Sequence, residues 1–196
     1  MAGAPVVVGI GEILWDVFPE GKKLGGAPLN FSHHCGQLGA SAHPVSAVGA
    51  DADGAEIRQI LASKNLPDAQ VQTDTAHPTG RVNVTLQNGK PTYEILAEVA
   101  WDYIRYDQNL RDLASRAGAV CFGSLAQRSP VSRATILAFL EAMRPEALRI
   151  FDVNLRQNFY SKEILETSLR YANIFKLSDE ELPTLAGFFD LKGPVL

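Results

Sequence analysis

The amino-acid sequence predicts an α/β domain with a three-layer core, in which helices cover both faces of a mostly parallel sheet, and a small antiparallel β lid. Apolar, β-branched runs alternate with helix-like segments along most of the 196 residues, a pattern typical of parallel strands joined by crossover helices. Residues 79–97 break this pattern because apolar and polar residues alternate there around Asn88-Gly89. That pair is a strong hairpin signal, and it predicts a separate antiparallel sheet.

The first half of the chain accounts for three core strands and two helices. The run PVVVGIGE is apolar and β-branched, as a buried strand should be. Gly39 is suited to end the first helix, and Ile57, Ile60 and Leu61 form one apolar face of the second. The predicted strands span 5–12, 41–49 and 68–73, and the predicted helices span 28–39 and 51–65.

The second half returns to strand–helix alternation after the hairpin. Ser129 and Pro130 stand where an N-cap and a first helical residue are expected. The last predicted helix, DEELPTLAGFF (179–189), has acidic residues in its first turn. Strands are predicted at 119–126, 148–154 and 173–178, and helices at about 107–117, 129–144, 161–173 and 179–189.

Composition excludes several classes of function. The formal net charge is −4 and the pI is about 5.6, so no nucleic-acid partner is expected. The N-terminus has no signal-peptide pattern and no run reaches the length of a membrane span, so we expect no membrane partner and a cytoplasmic protein. Lys22-Lys23, the densest basic pair, is expected in a solvated loop. Cys35 and Cys121 lack the spacing of metal ligands.

Two nucleotide-binding motifs are also excluded. GIGEIL (9–14) resembles the beginning of the dinucleotide motif GxGxxG, but Leu14 occupies the third glycine position. Pro19 and Gly21 then break the segment where a helix should follow. The phosphate-binding pattern GxxxxGK[ST] does not occur in the sequence.

Polar residues are expected to meet at the carboxyl ends of the parallel strands, where open α/β sheets bind ligands. Four clusters fall there: Asp16, the segment Gly25–Asn30, Asn154 with Arg156, and residues 178–181. A carboxylate, an amide and free backbone donors together suit a polyol. Taken singly, each has an ordinary structural explanation, such as a loop carboxylate, a helix-start residue or a paired surface arginine.

The stretch GGAPLNFSHHCGQLGASAHPVSAVG (25–49) resembles the first signature of the ribokinase-like (PfkB) carbohydrate kinases. That signature has a Gly-Gly pair, a short spacer, Asn, a small residue and then spaced glycines. TGRVNVTLQNGKPTYEI is similar to the lid strands of the family, FDVNLR to its D-x-N-x-R strand end, and FKLSDEEL to its N-x-x-E segment. GEILWDVFP and FGSLAQRS look most like the bacterial fructokinase branch. The resemblance extends over essentially the whole chain.

The resemblance implies the roles of individual residues. The bound molecules would be a small sugar, ATP and Mg²⁺, and the lid, in segments at about 14–24 and 79–100, would close over the sugar and could form a homodimer contact. Ser178 stands where the family usually has the Asn of N-x-x-E. The implied sugar ligands are Asp16, Gly25, Gly26 and Asn30, with Arg156 on the substrate or its developing phosphate, Asn154 and Lys176 on the cofactor, and Glu181 on Mg²⁺ through water.

The second signature of the family, Gly-Ala-Gly-Asp, does not occur in these 196 residues. It supplies the anion hole and the catalytic base, so we expect no catalytic residue within this chain and a base Asp beyond residue 196. We therefore expect residues 1–196 to be one truncated domain, which LKGPVL ends with the first residues of a strand. Two alternatives stay open: a non-catalytic sugar-binding or regulatory fragment, and a relative of the nucleoside or sugar-acid kinases.

Overall fold

The structure is a computed structural model that describes residues 3–87 and 90–193, and their side chains except those of 84–92. The predicted Asn88-Gly89 turn and the predicted strand start after Gly193 lie outside the described residues.

The core is a sheet of six parallel strands in the order β10-β9-β8-β1-β4-β5. The chain adds strands outward from β1 in one direction and from β8 in the other, so the order of connections reverses between β1 and β8. Crevices at such switch points are the usual ligand sites of open α/β sheets. The strands are β1 Val6–Ile10, β4 Ser41–Gly49, β5 Val71–Asp74, β8 Ala119–Gly123, β9 Leu148–Asp152 and β10 Ile174–Lys176.

Within residues 3–87 and 90–193, six α-helices connect or follow these strands. Asp107 and Ser161 cap the third and fifth helices by accepting hydrogen bonds from backbone N–H groups. Short 3₁₀ helices span Ala100–Tyr103 and Leu125–Arg128. The α-helices are α1 Ala27–Gln37, α2 Ala52–Ser63, α3 Gln108–Arg116, α4 Pro130–Ala142, α5 Lys162–Tyr171 and α6 Leu182–Phe188.

Helices cover both faces of the sheet, as predicted. Neighbouring residues of a strand point to opposite faces, and the buried side chains of β4 divide accordingly. Val45 and Ala47 belong to one apolar cluster, which also contains side chains of α3, α4 and α5. Ala42 and Val48 belong to a second cluster, with side chains of α1 and α2. The three layers are therefore α1–α2, the sheet, and α3–α5.

The lid is a second sheet of four strands in the order β3-β2-β6-β7. Two antiparallel hairpins form it: β2 Leu14–Phe18 with β3 Gly21–Gly25, and β6 Gly80–Gln87 with β7 Lys90–Ile95. The predicted small β lid is confirmed, and its sheet is mixed, because β2 and β6 join the two antiparallel hairpins by parallel pairing.

Two expectations are corrected by the local structure. Lys22-Lys23 lies in strand β3 and not in a loop, since its backbone pairs with β2. The last helix begins at Leu182, so the acidic residues 179–181 precede it and do not form its first turn. The remaining predicted helices and strands are confirmed, with boundaries shifted by a few residues.

The N-terminal turn of α2 attaches the lid to the core. The Asp51 carboxylate caps α2 at the N–H of Gly54 and also accepts hydrogen bonds from the Thr79 N–H and hydroxyl, where the chain enters β6. The Asp53 carboxylate lies 2.7 Å from Lys22 Nζ of β3 and 2.6 Å from Arg81 Nε of β6. Both lid hairpins are thus bonded to the same helical turn.

A buried ion pair fixes the other end of the lid. Arg128 donates to both oxygens of Asp102 at 2.8 Å, and also to the carbonyl oxygen of Leu96, just after β7. The guanidinium stacks on the rings of Trp101 and Phe159. The side chains of Arg128 and Asp102 are 8% and 5% exposed. Removing either one would therefore leave the other charge buried without a counter-ion.

Among residues 3–87 and 90–193, no helix has the length and hydropathy needed to cross a bilayer.

We expect Asp102→Asn to lower the free energy of unfolding by about 3 kcal/mol, because it leaves the Arg128 charge buried without its counter-ion. Glu163→Gln is the matched control, since Glu163 pairs with Arg133 at the surface, and it should change stability by less than about 1 kcal/mol. Urea unfolding of both variants measures the difference. Equal effects would show that the buried pair contributes no more than a surface pair.

Candidate functional site

A cleft of about 1010 Å³ opens at the carboxyl ends of the parallel strands. It lies at the switch point of the sheet, because residues at or just after the carboxyl ends of β1, β8, β9 and β10 all line it. Lid residues of β2, β3, β6 and β7 form the opposite wall. Its volume is at the upper end of the range common for small-molecule sites.

The turn Gly25-Gly26 forms one side of the cleft and begins α1. Gly26 has φ of 117° and so occupies a region that favours glycine, and a Cβ there would lie 2.3 Å from the carbonyl oxygen of Glu12. A Cβ on Gly25 would lie 2.5 Å from Asp16 Oδ2. The turn therefore contacts two acidic residues, and its N–H groups lie at a helix start, where free donors are available.

Asp16 and Asn30 reach the cleft from two different elements. Asp16 lies in the middle of β2, and Asn30 in the first turn of α1, where its N–H bonds to the carbonyl oxygen of Gly26. Partial burial raises the pKa of the Asp16 carboxyl, and the positive charge of Arg156 acts in the opposite direction. Because Arg156 is charged and near enough to influence Asp16, the cleft holds charges of both signs.

Asn154 and Arg156 follow β9 and line the cleft. Asn154 has φ of 40°, a conformation in which Asn is enriched. The exposed Arg156 donates only to the carbonyl oxygen of Leu155 among the described residues, so its guanidinium keeps donors for a ligand. The next residue, Gln157, donates to the carbonyl oxygen of Tyr93 in the lid at 2.6 Å, which holds the lid against the core.

Lys176 and Glu181 differ in their relation to the cleft. Lys176 lines it and lies 2.9 Å from Asp152 Oδ1. Glu181 lines a neighbouring pocket of about 280 Å³, which shares Arg156 with the cleft. Its carboxylate accepts from the N–H groups of Leu155 and Ser178, both at 2.7 Å. Although burial acts to raise the pKa of Glu181, these donors and the Lys176 charge lower it.

The predicted cofactor groups fit the chemistry of a polyphosphate and a hydrated cation. Arg156 and Lys176 offer positive charge on one side of the cleft. Two N–H groups occupy two acceptor positions of Glu181, and a carboxylate has about four, so water on a cation could use the others. No cluster of three or more His, Cys, Asp or Glu side chains suited to direct metal binding occurs in the described part of the chain.

The structure brings seven of the eight predicted site residues to one cleft, and Glu181 to the adjoining pocket. Sequence reasoning missed Glu12, which lies just after β1 and is 3% exposed. Its Oε1 accepts from the N–H of Ala27 at 3.2 Å. Burial raises the pKa of Glu12 to about 7, against the opposing effects of backbone donors and Arg156. The one signal in the sequence that could have identified Glu12 is an acidic residue just after an apolar strand.

Comparison with known proteins assigns residues 15–192 to the profile described as "pfkB family carbohydrate kinase". A putative sugar kinase of Pyrococcus horikoshii is 29% identical over 90% of this chain and 63% of its own length. A fructokinase of Salmonella typhimurium is 30% identical over 93% of this chain and 63% of its own length. The chain thus spans less than two thirds of these relatives.

Solved structures show the same fold. The Pyrococcus horikoshii sugar kinase in complex with ATP has a TM-score of 0.82 and 28% identity, and the match covers 93% of this chain and 66% of that one. A fructokinase of Xylella fastidiosa with bound ATP has a TM-score of 0.83 at 20% identity over 95% of this chain and 62% of its own.

We expect the stability of the wild type to fall relative to Glu12→Gln as pH rises from about 4.5 to about 7. The folded-state pKa of Glu12 is raised from 4.5 to about 7, so within this window the unfolded chain releases a proton that the folded chain retains. The contribution of the neutral acid, fully present below the window, is lost by its upper end, and the change is roughly 3 kcal/mol.

Urea unfolding of both proteins between about pH 4 and pH 8 measures this difference. Parallel pH profiles would show that Glu12 titrates normally in the folded protein.

Proposed function

Because the chain belongs to the pfkB family of carbohydrate kinases, we propose that it is the sugar-recognising part of a fructokinase-like enzyme. The complete protein would transfer a phosphoryl group from ATP to a primary hydroxyl of fructose or a similar sugar. The chain covers 63% of the length of its curated relatives, so this proposal concerns the whole protein. One observation carries it: a lid-covered cleft is lined by Asp16, by Gly25, Gly26 and Asn30 at the start of the first helix, and by Arg156, more than 120 residues further along the chain.

Different residues of the cleft would bind different hydroxyl groups of a polyol. Asp16 would accept hydrogen bonds from two sugar hydroxyls, and the Asn30 amide would donate and accept. The N–H groups of the Gly25-Gly26 turn would donate to sugar oxygens. Since Asp16 belongs to the lid strand β2 and Asn30 to the core helix α1, a sugar would be bound from both the lid and the core.

The lid would exclude water from the reacting hydroxyl. Its bonds to Asp51, Asp53 and Gln157 keep it over the cleft in the structure. When ATP is bound it supplies the phosphoryl group, and Arg156, Asn154 and Lys176 would hold its phosphates or the developing charge. Glu181 would orient water molecules on Mg²⁺.

The proposal also covers the preferred substrate, the cellular location and the oligomeric state. A substrate preference for fructose is suggested by the relative named fructokinase at 30% identity. We propose a cytoplasmic location, because the cysteines Cys35 and Cys121 are free, as is usual in a reducing compartment. A homodimer formed through the lid would place a second copy near the cleft.

We expect Asp16→Asn to weaken fructose binding roughly 10- to 100-fold, because a charged acceptor becomes a neutral amide of the same shape. Isothermal titration calorimetry measures the affinity, and a melting curve confirms folding. Asp112→Asn, on the exposed face of α3, removes the same charge far from the cleft and should bind as the wild type does. Full affinity in Asp16→Asn would contradict the polyol assignment and favour a nucleoside or sugar-acid substrate.

We also expect this chain to form sugar phosphate at least about 10³-fold more slowly than a form extended to the full length of its relatives, because the base and anion hole expected beyond residue 196 would be missing. A coupled ADP-release assay with fructose compares the two forms, and calorimetry checks that both bind the sugar. Comparable rates would contradict the expectation that catalysis needs a base beyond residue 196. Sugar affinity with no turnover in either form would favour a regulatory sugar-binding protein.

A further inference from the structure

Glu12 is placed where a ligand of the cleft could use it. It follows β1 at the switch point of the sheet and lines the cleft. Its Oε1 accepts from the N–H of Ala27, the first residue of α1. It therefore touches the same helix start whose Gly25-Gly26 turn we assign to the sugar.

The second oxygen of this carboxyl has no partner. Oε2 of Glu12 is buried and makes no hydrogen bond to any residue that the structure describes. A buried polar atom without a partner costs about 1–3 kcal/mol, and nearly all such atoms in folded proteins have one. Because the described residues supply none, the partner would be a water molecule or a ligand in the cleft that Glu12 lines.

Burial, and not the surrounding charge, favours a neutral Glu12. Burial is the largest influence and raises its pKa to about 7, and Asp152 adds to the increase, while backbone donors and Arg156 lower it. Burial also raises the pKa of the Cys121 thiol to about 12, so that group stays uncharged. The titratable and charged groups of the surrounding elements are Asp16 of β2, Lys23 of β3, His34 of α1, Tyr93 of β7, Cys121 of β8, Asp152 of β9, Arg156 after β9 and Lys176 of β10.

We propose that Glu12 is a further sugar-binding residue that acts as a neutral carboxylic acid, donating a hydrogen bond from Oε2 to a sugar oxygen directly or through one water molecule. Oε1 already accepts from Ala27, so the proton of the neutral acid belongs on Oε2. Sugar hydroxyls donate as well as accept, and Glu12 complements Asp16, which as a carboxylate can only accept. This inference rests on the proposed sugar-kinase function.

A donor role has a consequence that a structural role does not. Only the protonated acid can donate, so sugar binding retains a proton on Glu12. Affinity should be constant at low pH and should fall by up to tenfold for each pH unit above the pKa of the free protein. Titration of Asp16 would have the opposite sign, since a carboxylate acceptor improves as pH rises.

The experiment measures fructose affinity by calorimetry at about pH 6.5, 7.5 and 8.5. For the wild type we expect a loss on the order of 20-fold between the lowest and highest pH. Glu12→Gln keeps an acceptor for Ala27 and an N–H donor at the second position, so it should bind like the wild type at low pH and lose the dependence. Glu12→Leu, which has no donor, should bind about tenfold more weakly throughout.

Glu20→Gln is the matched control, because Glu20 is exposed in the β2–β3 turn and does not line the cleft. It should show the slope of the wild type. A wild type that binds fructose equally at every pH, or a Glu12→Gln variant that keeps the slope, overturns the donor role and leaves the sugar assignment intact. A wild type that binds no sugar at any pH overturns the proposed function and this inference together. If Glu12→Leu does not fold, the slope of Glu12→Gln decides alone.

Discussion

The position of the lid depends on two carboxylates in the N-terminal turn of α2. Asp51 holds the entrance to β6 through Thr79, and Asp53 holds Lys22 and Arg81 of the two hairpins. Burial acts to raise the pKa of both carboxyls, but their hydrogen bonds and the nearby cations lower it, so both stay ionised in neutral solution. The helix dipole also favours negative charge at this turn. A small mixed sheet, whose described buried side chains belong to the two core clusters, can therefore keep a defined position over the cleft.

A carboxyl group also bonds to the N-terminal turn of α1, but this helix start lines the cleft and does not attach the lid. Gly26 has no side chain to cap the helix, and a larger residue would clash with the backbone of Glu12. The capping oxygen comes instead from Glu12, fifteen residues away in sequence, whose Oε1 bonds to Ala27. Other donors of the turn remain available to a ligand. One helix start at the strand ends thus attaches the lid, and the other faces the cleft.

Local patterns predicted most of the fold, and long-range pairing accounts for what they missed. The alternation of strand and helix signals placed β4 at its observed bounds, Ser41–Gly49, because this apolar run lies between Gly39, just after α1, and Asp51, which caps α2. The parallel pairing of Leu14 with Gly80 joins segments far apart in sequence, and no local pattern encodes it. The same limit applies to the site. Asp16 and Asn30 could be expected at the strand ends from the sequence. The raised pKa of Glu12 could not, because it depends on burial against the start of α1, fifteen residues away.

The balance of charge in the cleft bears on the proposed phosphoryl transfer. Besides His34, three acidic residues, Glu12, Asp16 and Asp152, line it together with three lysine and arginine residues, Lys23, Arg156 and Lys176. If all were ionised, the charges would cancel, and an incoming polyphosphate would meet no net attraction. With Glu12 neutral, three cations face two carboxylates, which leaves one excess positive charge for an anionic co-substrate. The same proton would then serve both ligands: it gives the neutral sugar a donor, and it removes a negative charge that would repel the phosphates.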